Sequence, residues 1–209
     1  LALPLRANAA DPVSTGLLER IRTGDFNTRR DLSEYGKFFG LGFEEDLNTL
    51  GPNDVWLDAG SGNTVAITEY LLKKNAAESA KGIAITFTPP KPDPDTAKAL
   101  TQFQNDGRIN LITGTFFENI PDAKLGKPKL ITDLFGISAY AQTLDVVLNR
   151  YLDLLDANGS IYIFTLNHRT AIETAPGKAI SFLSYLELIP GIKITRYIPE
   201  RVLQADGTR

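Results

Sequence analysis

Asp54-Val55-Trp56-Leu57-Asp58-Ala59-Gly60-Ser61-Gly62-Asn63-Thr64 is the stretch whose reading decides the fold. Val55, Trp56 and Leu57 form a short apolar run that stops at a carboxylate and a glycine-rich turn, the pattern of a buried strand entering a tight loop. From Thr64 to Lys74 the period changes, and Val65, Ile67, Leu71 and Leu72 supply the apolar positions of a helix. Strand, glycine loop and helix start together place backbone N–H groups where a ligand can meet them. Gly60 and Gly62 allow a close approach that a Cβ would block. A ligand-free turn gives the same local pattern.

Working outward, the same alternation continues. Gly82-Ile83-Ala84-Ile85-Thr86-Phe87 reads as a second buried strand, and Pro89, Pro90, Pro92 and Pro94 then force an extended loop. Asp93 or Asp95 caps a helix that runs to about Gln104. Ile109, Leu111 and Ile112 make a third strand ending at Gly114, and Leu130 to Asp133 a fourth. Leu144 to Leu155 has an amphipathic helix period, and Ile161 to Phe164 a strand after the turn Asn158-Gly159. Ala179 to Ile189 is expected to be helical, Ile192 to Tyr197 a sixth strand, and Val202-Leu203 the start of a seventh.

Such alternation predicts an α/β fold: a doubly wound, mainly parallel central sheet of about seven strands with helices on both faces. Ligands of such sheets bind outside the carboxyl ends of the strands, where the strand order reverses. Upstream, a helix opening near Pro12 and Ser14, and a second helix through Phe43 and Leu47 that stops at Gly51-Pro52, suggest an N-terminal helical cap over residues 1–50. Residues 51–209 then form a single globular unit. Tyr35, Phe38 and Phe39, punctuated by Gly36, Gly40 and Gly42, are expected on a loop. That loop either closes over a ligand or anchors the cap to the core.

Composition narrows the function. The 209 residues are 43% hydrophobic, which is globular, and 25 acids against 22 bases give a net charge of −3. No basic footprint for nucleic acid follows from that balance, and no apolar run is long enough for a membrane-spanning helix. Without cysteine there is no disulfide, thiolate metal site or cysteine nucleophile. A single histidine, His168, rules out a His-based metal cage, and no metal is expected. Leu1 to Ala9, ending Ala7-Asn8-Ala9, reads either as the tail of a secretory signal peptide or as an ordinary apolar segment. The first reading implies export and the second a cytoplasmic protein.

The dinucleotide fingerprint G-x-G-x-x-G fails, because its third glycine position is Val65. Asp58-x-Gly60-x-Gly62 at the end of a first strand instead resembles motif I of the class I S-adenosylmethionine-dependent methyltransferases. The order of later segments, from about Tyr35 to Tyr197, is similar to that Rossmann-like family as well. Gly82-Ile83-Ala84 stands where the family has Gly-Ile-Asp, and Thr113-Gly114-Thr115 where Gly-Asp is common. Asp133-Leu134-Phe135-Gly136 is like the loop facing methyl donor and acceptor, and Leu155 to Ser160 like the turn before the fifth strand.

The resemblance implies S-adenosylmethionine as cofactor, S-adenosylhomocysteine as product and a small-molecule acceptor. Its motif I loop wraps the amino-acid part of the cofactor, with the acid orienting the ammonium. The implied cofactor-binding positions are Tyr35, Asp58, Ala59, Gly60, Ser61, Gly62, Ala84, Ile85, Thr115, Phe116 and Asp133. Asp133 is the candidate for a catalytic base or acceptor-holding group, with an acid that caps the following loop as the alternative. Tyr140 is a candidate aromatic face for the sulfonium, or a packing residue, and Asn167-His168-Arg169 either an acceptor wall or a loop with an exposed histidine.

Two departures stand out. Ala84 replaces the acid that normally accepts from both ribose hydroxyls, with Thr86 or Thr88 as substitutes; Thr115 replaces the acid near the adenine amine, with Glu118 nearby. The alternative function is therefore a catalytically inactive binding or structural protein on the same fold.

Overall fold

The computed structural model describes residues 28–141, 144–164, 171–175 and 178–194. The segment Leu1–Ala9, the helix expected near Pro12, the trio Asn167-His168-Arg169, residues 195–197 and Val202-Leu203 lie outside the described residues.

Two helices come first, α1 (Leu32–Phe39) and α2 (Leu41–Thr49). Then follow β1 (Val55–Ala59), α3 (Val65–Lys73), β2 (Lys81–Thr86), α4 (Pro94–Asn105) and β3 (Ile109–Thr113). A short 3-10 turn and the single-turn helix α5 (Asp122–Leu125) lead to β4 (Leu130–Leu134), α6 (Ile137–Tyr140), α7 (Leu144–Leu154) and β5 (Ser160–Phe164). The described chain ends with β6 (Ala171–Ala175), β7 (Lys178–Ser181) and α8 (Phe182–Glu187).

β1 to β5 form one wholly parallel sheet in the order β3-β2-β1-β4-β5. The order reverses between β1 and β4, which places the crevice of a doubly wound sheet at their carboxyl ends. Side chains alternate across the sheet, as the pleat requires. Trp56 and Leu130 join Tyr35, Phe43, Ile67, Leu71 and Leu100 on one face. Leu57 and Ile131 join Phe117, Leu125, Val147 and Tyr151 on the other. Helices thus cover both faces, and burying each such leucine or isoleucine is worth about 1.5–3 kcal/mol. α1 and α2 share the core of the first face rather than forming one of their own.

Four expectations change among the described residues. The described main sheet has five strands, while β6 and β7 pair with each other, antiparallel, and pack with α8 on α7 through Ile172, Tyr185, Leu144 and Leu148. The helix expected from Ala179 starts only at Phe182, because the residues before it are β7; Ser181 caps α8 by accepting from the Ser184 N–H. Ile192 to Ile194 are not in a strand. Finally, Tyr35, Phe38 and Phe39 lie in helix α1 and not in a loop. Asp31 is its N-cap, accepting from the Glu34 N–H at 2.9 Å, and Gly40, with φ of 81°, ends it.

Candidate functional site

The site is the rim formed by the carboxyl ends of β1 and β4. β1 ends in Asp58 and Ala59, and the chain turns at Gly60, whose φ is +91°, and Gly62, at +56°. Thr64, at φ 61°, is a non-glycine residue in the left-handed region, so the turn carries local strain where it enters α3. The Gly60 and Ser61 N–H groups both donate to the Ile85 carbonyl of β2, at 2.9 and 2.8 Å. The Thr64 N–H donates to the Ser61 carbonyl and the Asn63 N–H to the Thr28 carbonyl. Four amides of the loop are therefore committed within the protein, which leaves it poorly suited to cradle a phosphate.

The loop after β4 closes against it. A Cβ on Gly60 would overlap Gly136 Cα, and one on Gly136 would overlap the Ala59 carbonyl. Both positions need glycine because two backbones touch there. Phe135, just before Gly136 and at φ 49°, turns its ring toward Phe38, at 5.5 Å, and Phe164, at 4.8 Å.

Arg30 crosses this rim. Its Nη1 donates to the Gly60 carbonyl at 3.3 Å and to the Leu134 carbonyl, and its guanidinium carbon lies 5.8 Å from the centre of the Phe135 ring. Two carbonyls from adjacent strand ends, with an aromatic face beside them, make a place that accepts positive charge. Sequence reading missed Arg30, which stands outside any periodic pattern, and Phe135, which it quoted only within the loop.

The two rim acids face opposite sides of the sheet. Asp58 is buried and accepts from the Tyr35 hydroxyl at 2.8 and 2.9 Å and from the Thr132 hydroxyl at 2.9 Å. Thr132 in turn accepts from the Trp56 indole at 2.8 Å. Burial lifts the Asp58 carboxyl from 3.8 to about 6, opposed by the bonds from Tyr35 and Thr132 and by the charge of Arg30. Burial, and then the Asp58 charge, push the Tyr35 hydroxyl well above its ordinary value.

Asp133 is equally buried on the other face, accepting from the Gly136 and Ser138 N–H groups at 2.8 Å each and from the Tyr151 hydroxyl at 2.7 Å. Burial raises its carboxyl, and those donors oppose the rise. This is the geometry of an acid that holds the loop and the start of α6, the alternative role weighed for it. Each acid is thus gripped by a tyrosine from a helix on its own face.

The other expected residues divide. Ala59, Gly60, Ser61, Gly62 and Ile85 are together at the rim. Ala84 is fully buried in the core, opposite Asp58 in the register and two residues short of the end of β2. A carboxylate there would meet packed side chains; the hydroxyl at the strand's end is Thr86, donating to the Thr88 carbonyl at 2.9 Å. Thr115 and Phe116 follow β3, and the Phe116 ring, 36% exposed, lies 5.0 Å from Phe87 beyond β2. Tyr140 ends α6, half-buried. Among the described residues no cluster of acids and histidine is arranged to hold a metal, and no helix is long and apolar enough to cross a membrane. A surface concavity elsewhere, beside Lys98, Thr101 and Asn105 on α4, holds no acid–base grouping that suggests chemistry.

No family model matches this chain, and no curated protein does. Among solved structures it is similar to YjhP of E. coli, at 16% identity and a TM-score of 0.44, over 68% of this chain and 54% of that one. It is also similar to a precorrin-6y C5,15-methyltransferase from Geobacter metallireducens GS-15, at 15% identity and 0.37, over 56% and 55%. A third is PKMT2 from Rickettsia typhi in complex with AdoHcy, at 16% identity and 0.39, over 66% and 24%. The chain spans little over half the length of the first two, 54% and 55%, and at these values no property of those proteins is carried over to it.

Proposed function

We propose that this chain binds S-adenosylmethionine at the β1/β4 rim and transfers its methyl group to a small-molecule acceptor. One observation carries the reading: the Gly60 and Leu134 carbonyls converge on a positive charge, while four amides of the glycine loop, those of Gly60, Ser61, Asn63 and Thr64, are already used. A dinucleotide or a phosphate needs the reverse, free amides and no cation-seeking carbonyls. The ammonium and sulfonium of S-adenosylmethionine suit the arrangement found.

The residues fit that cofactor at its methionine end. Gly60 and Leu134 would hold the positive charge, the Phe135 ring would lie beside it, and the Asp58 charge behind would favour it. At the nucleoside end, Thr86 and Thr88 would serve the ribose in place of an acid, and Phe116 with Phe87 would offer a face for the base. When bound, the cofactor supplies a methyl group already activated on sulfur. What remains for the protein is alignment, which can supply most of the acceleration. Asp133 acts here as the group that fixes the Phe135–Gly136 loop, not as a base. An acceptor that is already nucleophilic needs none.

Because both rim acids are turned inward and gripped by tyrosines, the second reading is a protein that binds the cofactor or its product without turnover. Calorimetric titration with S-adenosylmethionine, S-adenosylhomocysteine and NAD tests the proposal. Heat from the first two and none from NAD is expected. Binding of NAD, or of none of the three, overturns it. Methyl transfer from labelled cofactor to a panel of nucleophilic acceptors then separates enzyme from binder.

A further inference from the structure

We propose that the segment Thr28–Arg30 is a strap that closes this cation-accepting rim, and that ligand enters only as Arg30 leaves the Gly60 and Leu134 carbonyls. The inference rests on the preceding reading, that the ligand brings a positive charge to that rim.

Arg30 occupies the position that ligand would need. Its Nη1 serves carbonyls from two different strand ends, and its guanidinium faces the Phe135 ring. It is docked on neutral oxygens; among the described residues it has no ion pair with a carboxylate. A guanidinium held this way is easier to displace than one in a bidentate carboxylate pair. A ligand ammonium would recover the same carbonyls, so the exchange replaces one cation by another and leaves the Asp58 charge compensated.

The strap's backbone is lightly fastened. Its one described backbone bond to the loop runs from the Asn63 N–H to the Thr28 carbonyl at 3.2 Å, and Thr28 and Arg29 are exposed. Thr28 nevertheless lies close over the loop, since a Cβ on Gly62 would come within 2.5 Å of its carbonyl oxygen. The next residues, by contrast, are anchored. Asp31 caps α1, the Leu32 N–H donates to the Glu69 carboxylate at 3.0 Å, and Tyr35 reaches Asp58. The strap can therefore swing about Asp31 while α1 stays docked. Opening it exposes Gly60 to Gly62 and the two carbonyls together.

The test compares wild type, Arg30→Ala and Arg30→Lys by calorimetric titration with S-adenosylhomocysteine, with thermal melts to confirm folding. Removing the competing guanidinium should tighten binding roughly tenfold to a hundredfold, the range of a lost charge-assisted bond. Arg30→Lys, whose point charge lacks the planar fork, should fall between. In wild type, amide exchange at residues 28–31 should accelerate on adding ligand while that of Gly60–Gly62 slows. Should Arg30→Ala not fold, the lysine variant and the exchange data carry the comparison. Equal affinity in wild type and variants, or weaker binding by Arg30→Ala, overturns the strap and leaves the cofactor reading standing. Binding by none of the three proteins overturns the cofactor reading itself, and the strap with it.

Discussion

Replacing Tyr35 by phenylalanine removes one oxygen from the interior and leaves the ring in place. The ring packs edge-on against Phe39 at 5.7 Å and Trp56 at 6.2 Å, and those contacts survive. What is lost is the single hydroxyl proton shared between the two Asp58 oxygens at 2.8 and 2.9 Å. A hydrogen bond to a charged group contributes about 1.5–3 kcal/mol, one between neutral groups about 0.5–1.5. Since the Asp58 carboxyl titrates at about 6, it is charged at pH 8 and mostly neutral at pH 5. For a domain of this size 1 kcal/mol corresponds to about 2–4 °C in melting temperature. Tyr35→Phe should thus lower Tm by about 3–12 °C near pH 8 and by roughly half that near pH 5. Circular-dichroism melts at the two pH values, backed by urea titrations, measure it. An equal loss at both, or none at pH 8, would refute the assignment of Tyr35 as the support of an ionised Asp58.

Two further outcomes follow from the same interior. A carboxyl raised from 3.8 to about 6 gives a stability contribution present below pH 3.8 and lost as pH rises through about 6. At about 1.4 kcal/mol per pH unit the loss is about 3 kcal/mol by neutral pH. Asp58→Asn should remove it, so wild-type stability should fall relative to the variant's across that window; parallel stability–pH curves from urea titrations would refute this. Ala84→Asp should destabilise by about 3–5 kcal/mol, the cost of an uncompensated buried charge, without tightening S-adenosylhomocysteine binding. Tighter binding at an unchanged melting temperature would show that the position faces the ligand after all.

Much of the sheet was legible in the sequence because parallel strands buried on both faces read as plain apolar runs. Val55–Leu57, Gly82–Phe87, Leu130–Asp133 and Ile161–Phe164 each end within two residues of the observed strand. An acid cap at Asp93 or Asp95 was legible, and it is Asp93 that accepts from the Thr96 N–H at 3.1 Å. α1 was misread because glycines at 36, 40 and 42 drew attention away from Asp31 and Glu34, an acid pair with capping-box spacing that would have placed the helix start. The β6–β7 pair was hidden as well. Lys178–Ser181 runs straight into the helical pattern expected from Ala179, so its pairing with Ala171–Ala175 left no separate signal. In the site, the glycine loop was visible but its hydrogen-bond accounting was not. No pattern in one dimension reveals that Ile85 consumes two of its amides, or that Asp58 and Asp133 turn to opposite faces. Ala84 was placed at the ribose by analogy of order; the register sets it level with Asp58, and it is fully buried two residues before β2 ends.

The contact between Gly60 and Gly136 has a mechanical consequence. Two main chains that touch, with no side chain between them to bend, act as a weld: the strand ends of β1 and β4 must travel as one piece. Pulling or heating the molecule should find its compliance elsewhere, first in Thr28–Arg30, which among the described residues one amide and one guanidinium fasten to the loop.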